Sequence, residues 1–132
     1  MTARGLLDTS VLIAEESGRA LDVAALPDEV LLSVVTVAEL HAGVLAARDT
    51  ATRATRLATL NSVSSLQPLV LDGAAAQQWA ALRVRLAEEG RRAKVNDVWI
   101  AAIAAANDLP VVTQDDDFDA IEAVGGPRVI RV

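Results

Sequence analysis

Cysteine is absent from this 132-residue chain, which excludes disulfide frameworks, thiolate nucleophiles and cysteine-ligated zinc or iron–sulfur centres. Histidine occurs once, as His41, so multi-histidine metal sites are excluded and a Ser-His-Asp arrangement has little to draw on. Aromatic residues make up only 2% (Trp79, Trp99 and Phe118), too few for platforms that stack single-stranded bases. No uninterrupted apolar run approaches the ~18 residues of a membrane span, and the start MTARGLLDTS lacks the apolar stretch of an export signal, so a cytoplasmic protein is expected. What is present is a hydrophobic fraction of 52%, with charged residues at 23% and mean hydropathy +0.34. That balance excludes disorder and calls for a core of Leu, Val, Ile and Ala, in one domain over residues 1–132.

The net charge of −6 argues at face value against nucleic acid as a partner. Divided by position, the charge says something else. Residues 48–94 hold eight of the twelve basic residues, namely Arg48, Arg53, Arg56, Arg83, Arg85, Arg91, Arg92 and Lys94, against four acids. The remainder is strongly acidic, with six acids and no base between Asp108 and Glu122. Such asymmetry suits an acidic metal site beside a surface that contacts phosphates.

Short apolar runs alternate with helical patterns. Arg4–Asp8, Leu31–Val35, Gln67–Leu71, Val111–Gln114 and Arg128–Arg131 read as strands. Residues 36–48, 51–64, 73–89 and 97–107 read as helices, and VLIAEE after Ser10 as the start of another. Ala75, Trp79, Leu82 and Leu86 share one face of the 73–89 segment, and Gly90 suits its end. The alternation predicts a three-layer α/β/α domain around a mainly parallel sheet of about five strands.

In open α/β sheets ligands bind beyond the carboxyl ends of the strands. Asp8, Glu39, Asp97 and Asp115 all fall at predicted strand-to-helix junctions or helix starts. Each has a structural alternative. Thr36 and Glu39 are spaced as a capping box, Asn96-Asp97 as an N-cap and its neighbour, and Asp115, Asp116 and Asp117 as acids ahead of a short helix at 118–123. Asp8 or Ser10 could cap the first helix. Capping accounts poorly for Asp8 and Asp97 together, because each abuts a nearly pure apolar run and no Lys or Arg is placed in sequence to pair with it. A divalent cation resolves the problem. Clustered oxygen ligands without Cys or His select Mg²⁺ or Mn²⁺, whose chemistry is phosphoryl transfer and hydrolysis.

Read together, LLDTSVLIA at 6–14, SVVTVAELHAG at 33–43, NDVWIAAIA at 96–104 and PVVTQDDDFDAI at 110–121 resemble the PIN-domain ribonucleases, and among them the VapC-type toxins of toxin–antitoxin pairs. The resemblance spans nearly the whole chain in the expected order. It implies that Asp8, Glu39, Asp97 and Asp115 bind Mg²⁺ or Mn²⁺ and activate water for RNA phosphodiester cleavage. It further gives Thr113, Asp117, Asn96 and Ser10 accessory places, and implies a homodimer and a small cognate antitoxin that blocks the acidic site. Asp116 adds a third consecutive acid where the family varies, which bears on metal number.

Arg91, Arg92 and Lys94 precede Asn96-Asp97 and are candidates for RNA phosphate contacts at the rim. His41 lies two positions from Glu39, roughly 200° round a helix, and is expected at the surface or an interface. Trp79 and Trp99 are expected in the core. A catalytically silent PIN-like scaffold is the rival reading, though all four acids are retained. A Mg-dependent phosphatase of the haloacid-dehalogenase type fits less well, since Ser10 stands where its second aspartate belongs. Phospho-receiver and nucleotide-binding readings lack their lysine and glycine signatures.

Overall fold

The computed structural model describes residues 3–132. Four parallel strands form its sheet in the order β2-β1-β3-β4, where β1 is Arg4–Leu7, β2 Glu29–Leu31, β3 Val111–Thr113 and β4 Val129–Arg131. Helices α1 (Thr9–Glu16), α2 (Val34–Ala46), α3 (Thr50–Ser62), α4 (Gly73–Glu88), α5 (Val95–Ala106) and α6 (Asp119–Ala123) connect them, with a 3₁₀ turn at Val23–Ala25.

Side chains alternate across a strand, and here the alternation sorts the core into two layers. Leu6 and Val111 face a cluster built with Leu82 and Leu86 of α4, Ile100 and Ile103 of α5, and Ile121 of α6. Leu7 and Val112, one residue on, face the opposite cluster with Val11 and Leu12 of α1, Leu40 of α2 and Val63. The α/β/α sandwich expected from the sequence is therefore present. Gly5 in β1 shows how tightly it is packed: a Cβ there would stand 2.6 Å from Val112 Cγ2 and 3.0 Å from Pro27 Cγ.

Two expected strands take a different form. The run at 31–35 ends as a strand at Leu31, because the Ser33 side chain accepts a hydrogen bond from the Thr36 amide and starts α2 at Val34. The run at 67–71 contributes a single parallel bridge, Leu69 to Ser33, with Leu69 N–H donating to the Leu32 carbonyl at 2.8 Å. It is a rudimentary fifth strand beside β2. Among the described residues no helix is long and apolar enough to cross a membrane.

Of the eight basic residues of the middle segment, two are bound to backbone carbonyls and one lies over an aromatic ring. Arg53 Nη2 donates to the Ala47 carbonyl at 2.9 Å and Arg56 Nη1 to the Gly43 carbonyl at 2.7 Å, clamping α3 to the end of α2. Arg83 lies over Trp79, its Cζ 5.6 Å from the ring centroid. Trp79 and Trp99 stack on each other with centroids 4.6 Å apart, half-buried between α4 and α5.

Candidate active site

The order β2-β1-β3-β4 reverses direction between β1 and β3, and both strands deliver an acid at their carboxyl ends. Asp8 follows β1 and Asp115 lies two residues beyond β3. The Thr113 hydroxyl, fully buried at the end of β3, lies 3.0 Å from Asp8 Oδ2 and 3.3 Å from Asp115 Oδ1. A hydroxyl has one proton to donate, so the two carboxylates share a single donor and the nearer Asp8 holds it. Ser10 Oγ stands 3.1 Å from Thr113 Oγ1 and accepts the Gln114 amide at 3.1 Å, fixing the first turn of α1 against β3.

Asp8 occupies the N-cap position of α1 but its side chain caps nothing. Burial is the main cause that raises its pKa; hydrogen bonds from Ser10 and Thr113 oppose this, and the charge of Asp115 adds to it. The third acid comes from α5. Lys94 is the N-cap residue of this helix, so Asn96 is not, and Asp97 falls in the first turn. There the helix dipole favours a carboxylate by about 0.3–1 kcal/mol, but burial costs more. The pKa of Asp97 is raised to about 7, first by burial, then by the charges of Asp8 and Asp117, with Lys94 opposing and Asp115 adding to the rise. Its Oδ2 is buried and has no hydrogen-bond partner among the described residues.

Glu39 stands at the margin of this group. It does not close a capping box, since Ser33 caps α2; instead Oε1 accepts from Thr9 Oγ1 at 2.7 Å and Oε2 from Asn96 Nδ2 at 3.4 Å. Thr9 is the residue that sequence reasoning passed over. Its hydroxyl also lies 3.0 Å from Thr36 Oγ1, itself 3.5 Å from Ser33 Oγ, so a line of hydroxyls runs from the buried start of α2 to the Glu39 carboxylate. The only cue in the sequence was its place beside Asp8.

The three consecutive acids after β3 part company. Asp115 turns to Thr113 and accepts the Asp117 amide at 3.1 Å, Asp117 pairs with Lys94 Nζ at 2.8 Å, and Asp116 is exposed. None caps α6, whose N-cap is Phe118. Arg91 pairs with Glu89 at 3.6 Å, while Arg92 is exposed. His41 is exposed, in a cleft with Val37, Leu60 and Leu66 away from the acids.

Asp8, Asp97 and Asp115 thus feel one another's charge, with Glu39 tied in through Thr9 and Asn96. Among the described residues, no three acidic or histidine side chains are already spaced to hold a metal ion, and Glu39 and Asp117 are turned to other partners. The orphaned Oδ2 of Asp97 and the oxygen-only donor set nevertheless fit a hard divalent cation better than they fit an empty polar pocket.

Comparison with known proteins identifies the fold and the family. The family model described as the PIN domain matches residues 5–124. The chain is 58% identical to ribonuclease VapC5 of Mycobacterium tuberculosis, over 98% of this chain and 96% of that protein. It is 39% identical to ribonuclease VapC4 of the same organism, over 92% and 93%. Its fold superposes on the crystal structure of VapBC-5 from M. tuberculosis, a member of the VapBC family of toxin–antitoxin systems, with a TM-score of 0.91, 55% identity and coverage of 98% and 99%.

Proposed function

The chain belongs to the PIN-domain family, as a VapC-type member, and on that premise we propose that it is a metal-dependent endoribonuclease, the toxin of a toxin–antitoxin pair. The observation that carries this reading is the buried, partnerless Oδ2 of Asp97 among the charges of Asp8, Asp115 and Asp117. Asp8, Asp97 and Asp115 would hold Mg²⁺ or Mn²⁺, with Glu39 reached across Thr9. When bound, the ion lowers the pKa of water to make a nucleophile and neutralises charge on the phosphate.

The chain's own residues do the rest. Thr113 orients the Asp8 and Asp115 carboxylates through one shared hydroxyl, and Ser10 holds that hydroxyl in place. Thr9 and Asn96 orient the two oxygens of Glu39. The raised pKa of Asp97 makes the ion-free site hold a proton more readily than an ordinary carboxylate, and a coordinating carboxylate must be free of it, so ion binding would be pH-dependent. Arg91, Arg92 and Lys94, exposed in the segment that leads into α5, would contact backbone phosphates and offset the repulsion of RNA by the acids.

An antitoxin segment would lie along the cleft of Ile13, Glu16, Glu39, Leu40, Gly43 and Arg56, which opens beside Glu39. A homodimer fits the exposure of Leu45 at 82% and Val95 at 62%, large apolar side chains that a partner or second copy would cover. The test is cleavage of end-labelled RNA by wild type and Asp97→Asn, prepared identically, in Mg²⁺, Mn²⁺ and EDTA. Cleavage that needs both the ion and Asp97 supports the proposal; equal cleavage by the two proteins, or cleavage in EDTA, overturns it.

A further inference from the structure

A cleft of about 490 Å³ lies between the loop before α5 and the segment from Asp116 to Ala120, lined by Arg92, Ala93, Lys94, Asp116, Asp117 and Ala120. Its volume is within the ~300–1,000 Å³ usual for small-molecule sites. It shares its walls with the candidate active site: the Asp117 amide donates to Asp115 Oδ1, and Lys94 stands three residues before Asp97 on the same helix start. We propose that this cleft is a nucleotide subsite that reads a guanine flanking the scissile phosphate. The proposal rests on the ribonuclease reading and names the specificity of that site.

The mixed charge of the cleft selects the ligand. Arg92 makes no ion pair or hydrogen bond among the described residues, and neither does the carboxylate of Asp116, an exposed residue that lines the same cleft. A bare anion would use the cations and be repelled by Asp116. A bare cation would meet Arg92 and Lys94. A nucleotide brings an anionic phosphate and a base edge together. The Lys94–Asp117 pair lines the cleft with its side chains 74% and 33% exposed, and pairs this exposed are weak enough for a phosphate to take the lysine over.

Among the four bases only guanine presents two adjacent donors, N1–H and N2–H, to the two oxygens of a carboxylate. Adenine and cytosine set one amino group beside an acceptor, and uracil sets its single N–H between two carbonyls. An unpaired carboxylate at the wall therefore favours guanine and rejects uracil, while Ala120, small and half-buried, leaves room for a purine.

The experiment has two arms. In the first, wild type, Asp116→Asn and Ala120→Met cleave a randomised RNA pool in Mn²⁺ and the products are sequenced. Wild type is expected to prefer guanine at one position flanking the cut by about tenfold. Asp116→Asn should lose that preference, and Ala120→Met should lose cleavage next to purines first. In the second arm, run in EDTA, anisotropy compares binding of labelled oligouridine with the same oligomer carrying one guanine. Wild type should bind the guanine oligomer about tenfold more tightly and Asp116→Asn should not distinguish them. A guanine preference in binding without cleavage would sink the ribonuclease reading and leave the subsite standing. Cleavage with no guanine preference, or a preference that survives Asp116→Asn, would overturn the subsite alone.

Discussion

Replacing Asp97 by asparagine should stabilise the ion-free protein, and by an amount that grows with pH. In the folded chain the Asp97 pKa is raised to about 7, against an ordinary value of 3.8. Below pH 4 both folded and unfolded chains carry the proton and the site costs nothing. Between pH 4 and 7 the unfolded chain has released it while the folded chain still holds it, so stability falls as pH rises, and the full cost is present above pH 7. About three pKa units correspond to about 4 kcal/mol, which we reduce to about 2 kcal/mol because the side chain is not wholly sealed from water. The asparagine amide cannot ionise and escapes this cost. In a domain of this size about 2 kcal/mol is roughly 8 °C in Tm. The assay is a pair of thermal melts in EDTA at pH 4.5 and pH 8 for each protein, which cancels every titrating group that does not interact with Asp97. The Tm difference, variant minus wild type, should rise by several degrees between the two pH values. A difference that stays constant, or wild type the more stable at pH 8, would refute the reasoning.

Divalent ions should reverse the ranking: at a hundred times Kd, Mn²⁺ should add about 2.7 kcal/mol to wild type and much less to Asp97→Asn, read as a concentration-dependent Tm. Thr9→Val should weaken Mn²⁺ binding measured by calorimetry about tenfold, and Thr9→Ser should restore it, because the hydroxyl 2.7 Å from Glu39 Oε1 is what orients that carboxylate; equal affinity in all three proteins would remove Thr9 from the site. Replacing Arg92 and Lys94 together by Ala should reduce the slope of log K against log salt for RNA binding by about 1.4, whereas Arg56→Ala, whose guanidinium is committed to the Gly43 carbonyl, should leave the slope alone and lower stability by about 1.5–3 kcal/mol. Gly5→Ala should destabilise by about 1–3 kcal/mol in a urea titration, since the added methyl meets the buried Val112 side chain at 2.6 Å.

What the sequence made legible was governed by local physics, and what it hid depended on contacts far apart in the chain. The runs that became β1, β3 and β4 were visible because each is a short apolar segment followed by polar residues, and the Leu6-Leu7 and Val111-Val112 pairs reach both faces of the sheet. The run LLSVV misled because Val34 and Val35 favour strands in isolation, while a single hydrogen bond from the Thr36 amide to the Ser33 side chain turns them into the first residues of a helix. The fifth run kept only a bridge because it meets β2 beyond its end, where the backbone is already turning into α2.

The acids illustrate the same division. Position in sequence put Asp8, Glu39, Asp97 and Asp115 at helix starts and strand ends, but capping and coordination predict identical spacing, so only the bonds actually made can separate them. Ser33 takes the capping role from Thr36 and Glu39, and Asp8 sits at an N-cap without capping. Thr9 was out of reach because its partners lie 27 and 30 residues away, a relation no local pattern encodes. The triplet of acids at 115–117 carried no internal order in the sequence; the fold assigns one to the shared hydroxyl, one to solvent and one to Lys94. Charge that repeats along a chain is thus divided by geometry into a carboxylate that is oriented, one that is paired and one that is free to recognise. That division is why the unpaired member, rather than either of its neighbours, is the one assigned to reading a base.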